Sequence, residues 1–401
     1  MKGKIDTDKE KIKNLLERGV ENIFVKESLE KKLLSGKKLK VYFGIDPTGP
    51  TLHMGHFIGI KKLKEFQDLG HQVILLMGDF TAMIGDPTDK GAARVKLTRK
   101  QVLVNLKNYK KQASKFLNFN GSNGAQFKFN SKWLAKMKFE QVLELASKTT
   151  IDQMLKRDMF AKRQEEGKPI LGHEFFYPLM QGYDSVMMDV DVEIGGNDQT
   201  FNMLVGRDLV SEILKKDKSV IAMKLLVDNT GKKMGKTEGN MISFLDTGEE
   251  MFGKIMSWND SLIIKGFELC TNIPMSLVKD FEQKMSKGEN PRDFKMKLAY
   301  ETVKMFFGEA KAKKAQEDFV NTFQKGETPE EMTEVKIKEG EKLIDALVRE
   351  KIISSKSDFR RLVEEKAVTN LETDEKLIDA NVIAGHGARF KIGKKRFVKI
   401  V

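Results

Sequence analysis

The stretch from residue 39 to residue 78 constrains the fold more than any other. Leu39-Lys40-Val41-Tyr42-Phe43-Gly44-Ile45 is a short β-rich run, and Asp46-Pro47-Thr48-Gly49-Pro50 breaks it. A helix is predicted from about His53 to Leu69, with Gly70 ending it. Gln72-Val73-Ile74-Leu75-Leu76-Met77-Gly78 then reads as a second, near-continuous apolar strand. A strand, a helix and a strand within about 40 residues make a βαβ unit. A strand apolar on both faces belongs in a buried parallel sheet. The predicted class is therefore α/β, with a Rossmann-like, doubly wound parallel sheet in the first half. No G-x-G-x-x-G is present, so a dinucleotide reading lacks its main support.

The rest of the chain is read more coarsely. Residues 8–35 suggest two charged helices, with Asp8 capping a run that aligns Ile12, Leu15 and Leu16. Residues 95–170 are mostly helical by pattern, with a polar turn at Asn118–Gly124. Residues 184–194 read as a helix running into a strand, and Gly195-Gly196 turns into a helix through Leu204. Another helix and a strand at Ile221–Leu226 follow. Residues 247–325 are helical with breaks at Pro274 and Pro291, and Gly326-Glu327-Thr328-Pro329 marks a linker. The last segment mixes two helices with short β-rich pieces, and no internal repeat is visible. The layout is a Rossmann-like domain over 1–230 with a helical insertion at about 120–185, an α-helical domain over 231–330, and a small α+β domain over 335–401.

Composition limits the function classes. The 401 residues, 40% hydrophobic, suffice for one large domain and one or two small ones. No run of about 18 apolar residues exists, so no membrane span is expected. Met1-Lys2-Gly3-Lys4-Ile5-Asp6 has no apolar stretch behind it and does not read as a secretory signal. Cys270 is the sole cysteine, which excludes an intramolecular disulfide and a cysteine-built metal site. A reducing, cytoplasmic setting is expected. The net charge of +13 fits either a lysine-decorated surface or a polyanionic partner.

Two motifs carry chemistry. His53-Met54-Gly55-His56 opens the first predicted helix, and Lys233-Met234-Gly235-Lys236-Thr237 follows roughly 180 residues later. A helix start aims free N–H groups and a positive dipole end at its mouth. His53 and His56 share one side of it, where imidazole N–H groups suit phosphate oxygens. Gly55 leaves room for a flat base or ribose. A metal site would need further ligands, and the remaining histidines, His71, His173 and His386, stand in unrelated contexts. Lys232, Lys233 and Lys236 cluster on a glycine-containing loop in which Thr237 adds a hydroxyl. Lys90 and Arg94 form a third basic site, after Gly85-Asp86-Pro87-Thr88. Most lysine runs are solvated surface, so it is the ordered pair of motifs that argues for a grip on a nucleotide's phosphates.

Gly44-Ile45-Asp46-Pro47-Thr48 with His53–His56 and the later Lys-Met-Gly-Lys-Thr resembles the class I aminoacyl-tRNA synthetases. Tyr42, Ile84-Gly85-Asp86-Pro87, Tyr177-Pro178-Leu179-Met180-Gln181-Gly182-Tyr183-Asp184 and Gly195-Gly196-Asn197-Asp198-Gln199 narrow the resemblance to bacterial-type tyrosyl-tRNA synthetases. Ser354–Val363 is similar to an S4-type RNA-binding module. The resemblance covers essentially the whole chain in order. It implies that Tyr42 and Asp184 bond the phenolic hydroxyl of tyrosine, and that Asp86, Tyr177 and Gln181 hold its ammonium. It places Gln199 at the carboxylate, and Gly44, Asp46, Gly55, Gly196 and Asp198 along the nucleotide. Thr48, His53 and His56 would meet the ATP phosphates, and Lys90, Arg94, Lys233, Lys236 and Thr237 the leaving pyrophosphate. Arg360 and Arg361 would contact RNA phosphate. Two departures stand out: Gly235 and Thr237 replace serines, and Lys366 sits where a turn-forming glycine is usual.

The residue types agree with those roles. A buried phenol needs an acceptor and a donor, which Asp184 and Tyr42 supply. Tyr177 with Gln181, and Gln181 with Asp184, have the spacing of one helix face. The resemblance implies ATP as a substrate with Mg2+, no protein-bound metal or organic cofactor, tRNA(Tyr) and L-tyrosine as partners, a homodimer, and an anticodon-recognition role for the helical domain. No Ser–His–Asp or Cys–His nucleophile is called for. The alternatives are a tryptophanyl-tRNA synthetase, an HxGH-type nucleotidyltransferase on another substrate, and a non-catalytic RNA-binding descendant.

Overall fold

The computed structural model describes residues 5–86, 96–155, 158–227, 241–324, 332–338, 340–373, 375–393 and 396–401. Lys90 and Arg94, the motif residues Lys233, Lys236 and Thr237, and the linker at 326–329 lie outside the described residues. The chain divides into two units, Met1–Ala312 and Lys313–Val401.

In the first unit six strands form one sheet: β1 (Val20–Phe24), β2 (Lys40–Ile45), β3 (Gln72–Met77), β4 (Gln126–Phe129), β5 (Val192–Gly196) and β6 (Ser219–Met223). Their order is β1-β6-β5-β2-β3-β4. All neighbours are parallel except β1, which runs antiparallel to β6 at the edge. The apolar sequence dictates the centre: β3 is buried from Val73 to Met77, and β6 along its whole length. The chain moves outward from β2 through β3 to β4, then returns to β5 and moves the other way to β6. The reversal falls between β2 and β5, where the loops leaving their carboxyl ends part and open a crevice.

Three readings from sequence are corrected here. Residues 8–35 hold two helices, Lys9–Glu17 and Lys26–Leu34, with β1 between them. The mostly helical stretch 95–170 contains β4. Both are edge strands with one partner, so Glu21 and Asn22 stay exposed and β4 is only half-buried. Neither shows the apolar run that marks the centre. One helix, Thr200–Leu214, replaces two; it ends at Lys215 in the left-handed region, and β6 starts at Ser219.

Local chemistry sets the other boundaries. Asp8 accepts the Lys11 N–H at 2.9 Å to cap the first helix. Thr247 and Glu250 cap Gly248–Met256 reciprocally, and Asn290 with Pro291 starts Pro291–Phe307. Phe57, Phe116, Phe244 and Phe306 pack edge to face, joining the Met54–Asp68 helix to the helical segment. Arg18 donates to the carbonyls of Phe267, Glu268, Thr271 and Ile273 at 2.7–3.0 Å. It thereby satisfies the carboxyl end of the Ile263–Cys270 helix.

The second unit builds the sheet β7 (Thr333–Val335), β8 (Val368–Asn370), β9 (Arg389–Ile392) and β10 (Arg396–Ile400), ordered β7-β10-β9-β8. The helices Leu343–Arg349 and Lys356–Glu364 bury Leu343, Leu347, Phe359 and Val363 against Val368, Phe390, Val398 and Ile400. Lys366 adopts φ 53°, and the Ala367 N–H reaches the Leu362 carbonyl at 2.8 Å. The turn that usually takes glycine is kept, with lysine in the left-handed region. Arg360 and Arg361 are exposed on the second helix, and Arg361 pairs with Asp358 at 2.9 Å and Glu365 at 3.7 Å. Among the described residues no helix is long and apolar enough to cross a membrane.

Candidate active site

The crevice between β2 and β5 gathers most of the residues singled out from sequence. The turn after β2 is held rigidly. Asn105 donates to the Pro47 carbonyl at 2.9 Å, the Tyr109 hydroxyl to the Gly49 carbonyl at 2.6 Å, and Gln112 accepts the Leu52 N–H at 2.8 Å. Thr48 is left exposed on that turn. The Met54–Asp68 helix begins directly after it, with His53 as its cap.

Backbone groups fix both imidazoles. His53 Nδ1 accepts the Gly55 N–H at 3.1 Å, and His56 Nδ1 accepts the His53 N–H at 3.2 Å. Each neutral ring therefore carries its proton on Nε2. Burial holds the His56 imidazole well below its ordinary pKa, and His53 adds to this, so it is a neutral donor. Among the described residues no group of three His, Cys, Asp or Glu side chains is arranged to hold a metal.

The flanks of the second motif reach this helix start. The Met54 N–H donates to the Ile242 carbonyl at 2.9 Å, and His53 bridges Ser243. The hydroxyls of Thr51 and Ser243 lie 2.6 Å apart. On the other flank Lys265 donates to the Val227 carbonyl at 3.1 Å.

Deeper in the crevice the polar groups are buried and mutually engaged. Tyr177 and Asp184, from the Phe176–Met188 helix, are both buried. The Tyr177 hydroxyl donates to Asp46 at 2.9 Å, and Thr81 donates to the other Asp46 oxygen at 2.7 Å. Gly78 permits this, because a Cβ there would collide with Asp46 and Thr81. Asp184 accepts Trp133 Nε1 at 2.7 Å and Asn130 Nδ2 at 3.1 Å. Burial pushes its carboxyl above the usual range, against the pull of those two donors. Gln199 donates to Asp86 at 3.3 Å. Gln181 donates to Glu193 and accepts from Asn202, both at 3.0 Å. Burial raises the Tyr42 and Tyr177 phenols well above their ordinary value, with nearby carboxylates adding to it, so both stay protonated donors. Gly44 lies near the end of β2 and Asp46 directly follows it; Gly196 ends β5, and Asp198 follows it in a short 3-10 turn.

Asn130, Trp133, Ser185, Glu193, Asn202 and Lys218 belong to this site and were not singled out from sequence. Glu193 carried a usable signal, a charge inside a run destined for a buried parallel strand. Lys218 was hidden by its lysine-rich surroundings. Asn130 and Trp133 follow β4, itself unread.

Comparison with known proteins bears on the whole chain. Residues 34–324 match the family model "tRNA synthetases class I (W and Y)". The chain is 45% identical over 398 residues to the tyrosine–tRNA ligase of Thermotoga maritima, covering 98% of each chain. It is 43% identical to tyrosine–tRNA ligase 2 of Vibrio cholerae, covering 96% of this chain and 97% of that one. Among solved structures, the C-terminally truncated mitochondrial tyrosyl-tRNA synthetase of Coccidioides posadasii aligns at TM-score 0.63 and 24% identity, covering 78% of this chain and 92% of its own. The tyrosine complex of the Archaeoglobus fulgidus enzyme aligns at 0.60 and 21%, covering 77% of this chain and 99% of its own; these two likenesses speak to fold alone. The chain belongs to the class I tyrosyl-tRNA synthetases, tyrosine–tRNA ligases that take ATP, tyrosine and tRNA(Tyr) as substrates.

Proposed function

We propose that the crevice between β2 and β5 is where tyrosine and ATP react, with tyrosine in the buried part and ATP across the helix mouth. Asp184 and Tyr42 take the phenolic hydroxyl, one as acceptor and one as donor. Asp86, Tyr177 and Gln181 hold the ammonium, and Gln199 lies on the carboxylate side. Gly44, Asp46, Gly55, Gly196 and Asp198 line the nucleotide. Thr48, His53 and His56 meet the phosphates of MgATP, and Lys90, Arg94, Lys233, Lys236 and Thr237 receive the departing pyrophosphate. The observation that carries this reading is the tautomer shared by His53 and His56, each bonded at Nδ1 and protonated at Nε2.

The carboxylate of tyrosine attacks the α-phosphorus in line. A P–O bond forms to give tyrosyl-adenylate as the bond to pyrophosphate breaks. A terminal ribose hydroxyl of tRNA then attacks the acyl carbon and releases AMP. Protein groups supply position and charge stabilisation, and no protein nucleophile takes part. Removing a donor that acts mainly in the transition state costs about 2.7–4 kcal/mol. His56→Ala and Lys233→Ala are thus expected to slow adenylate formation about 10²–10³-fold while the tyrosine Kd stays unchanged. Stopped-flow activation at the wild-type rate would remove them from the mechanism.

The remaining parts of the chain have their own proposed roles. Residues 1–230 form the catalytic domain, with the connective insertion at about 120–185. Residues 231–330 carry the second motif and the anticodon-recognition helices. Residues 335–401 act as an S4-like RNA-binding domain through Arg360 and Arg361. Deleting residues from about 335 onward is expected to spare adenylate formation and impair tRNA charging; normal charging would refute the RNA role. The enzyme works as a homodimer in the cytoplasm. Phe139 (76% exposed), Leu143, Ile151 (70% exposed), Leu171, Phe176 and Met187 support the dimer, being exposed apolar residues within one stretch of sequence. A monomer by sedimentation at working concentration would overturn it.

A further inference from the structure

A buried ion pair sits directly behind the phenol-binding end of the crevice. Lys218 and Glu193 form a salt bridge with side chains 0% and 2% exposed. A buried pair of this kind is weak evidence for stability, since apolar residues of similar volume often serve as well. Its surroundings point to the site instead. Glu193 on β5 is the register partner of Tyr42 on β2. Ser185, fully buried on the Phe176–Met188 helix, touches three groups at once: Tyr42 Oη at 3.0 Å, Lys218 Nζ at 2.9 Å and Glu193 Oε2 at 3.2 Å. Space for this is made by Gly206 on the Thr200–Leu214 helix, where a Cβ would lie 2.6 Å from Lys218 Nζ and 3.3 Å from Ser185 Oγ.

The inventory of donors restricts the hydrogens. The Lys218 ammonium only donates, the Glu193 carboxylate only accepts, and Ser185 has one proton to give. Lys218 donates to Ser185 and to Glu193. The Tyr42–Ser185 bond can be donated from either side; in one arrangement Ser185 donates to Glu193 and the Tyr42 O–H donates to Ser185. In that arrangement Tyr42 has no proton aimed at a ligand. If Ser185 turns its O–H to Tyr42, Glu193 keeps Lys218 as its donor and the Tyr42 O–H is released toward the pocket.

We propose that Ser185, held between Lys218 and Glu193, is a specificity-determining positioning residue whose hydroxyl turns from Glu193 to Tyr42 when tyrosine binds, freeing Tyr42 to donate to the substrate's phenolic oxygen. No proton changes owner; two O–H bonds rotate. Only a substrate with a ring oxygen rewards the turn, so the relay acts on tyrosine and leaves phenylalanine unaffected. This inference rests on the placement of the substrate ring proposed above.

ATP–pyrophosphate exchange with tyrosine and with phenylalanine tests it, on the full-length enzyme and on Ser185→Ala and Tyr42→Phe. Ser185→Ala is expected to lower kcat/KM for tyrosine about tenfold while phenylalanine stays within about twofold of wild type. A merely structural serine would lower both alike, and that result, or no change in either, overturns the relay. If Tyr42→Phe lowers the tyrosine value and Ser185→Ala does not, the relay alone falls. If Tyr42→Phe is itself silent, the ring placement falls and the relay with it. Should Ser185→Ala not fold, Ser185→Cys, a weaker donor of similar size, is expected to lower the tyrosine-to-phenylalanine ratio by a smaller factor; an unchanged ratio overturns the relay.

Discussion

The imidazoles of His53 and His56 stack with centroids 3.8 Å apart and planes 26° from parallel. Two cations at that separation would repel, so the stack suits neutral rings. Each ring uses its Nδ1 to accept a backbone N–H of the helix start. The helix start therefore engages its own N–H groups internally, Met54 with the Ile242 carbonyl and Gly55 with His53 Nδ1, and in doing so orients two side-chain donors.

A pH consequence follows for His56. Its depressed pKa means that the ring stays neutral as pH falls from 8 to 6.5. The rate of adenylate formation is expected to show no His56 protonation step in that range. His56→Gln, which keeps a donor without a titrating ring, is expected to slow the step without changing the shape of its pH profile. A wild-type inflection near 6.5 that vanishes in His56→Gln would contradict a neutral donor.

His71 links stability to pH. It is fully buried after Gly70, accepts the Leu39 N–H at Nδ1, and has no partner for Nε2 among the described residues. Burial, aided by Lys38, lowers its pKa to about 4. The unfolded chain takes up this proton near 6.5 and the folded chain only near 4. The neutral ring's stability is intact above 6.5 and declines as pH falls from 6.5 to about 4, by about 3 kcal/mol in all. His71→Leu is expected to flatten that part of the stability profile in urea titrations. Equal slopes for the two proteins would rule out His71 as the source.

Lys366 is held at φ 53°, where a non-glycine residue costs about 1–2 kcal/mol. Glycine relieves that strain and adds about 0.5–1 kcal/mol of unfolded-chain entropy against folding. Lys366→Gly is therefore expected to stabilise the second unit by a net ~0–1.5 kcal/mol. Slower hydrogen exchange of the Phe359 and Val363 amides would report it, and faster exchange would refute it.

The sequence made the centre of the molecule readable and left its edges obscure. β2, the Met54–Asp68 helix and β3 are buried on both sides, so their apolar runs and turn residues announce them. β1 and β4 pair with one neighbour each and keep polar residues in the open, which removes the pattern. The site divides in the same way. Tyr42, Asp46, His53, His56, Tyr177 and Asp184 stand in compact motifs. Asn130, Trp133, Ser185, Glu193 and Lys218 act through contacts between residues 8 to 143 positions apart, which no local spacing encodes.

The most direct test is pyrophosphate exchange with tyrosine and phenylalanine by wild-type enzyme and Asp184→Asn. Asp184 accepts Trp133 and Asn130 in a buried site, and its proposed task is to accept the substrate hydroxyl as well. The wild type is expected to favour tyrosine strongly, and Asp184→Asn to lower that preference about 10–100-fold by weakening a hydrogen bond to a charged group. An unchanged preference in Asp184→Asn would mean that the phenol is recognised elsewhere.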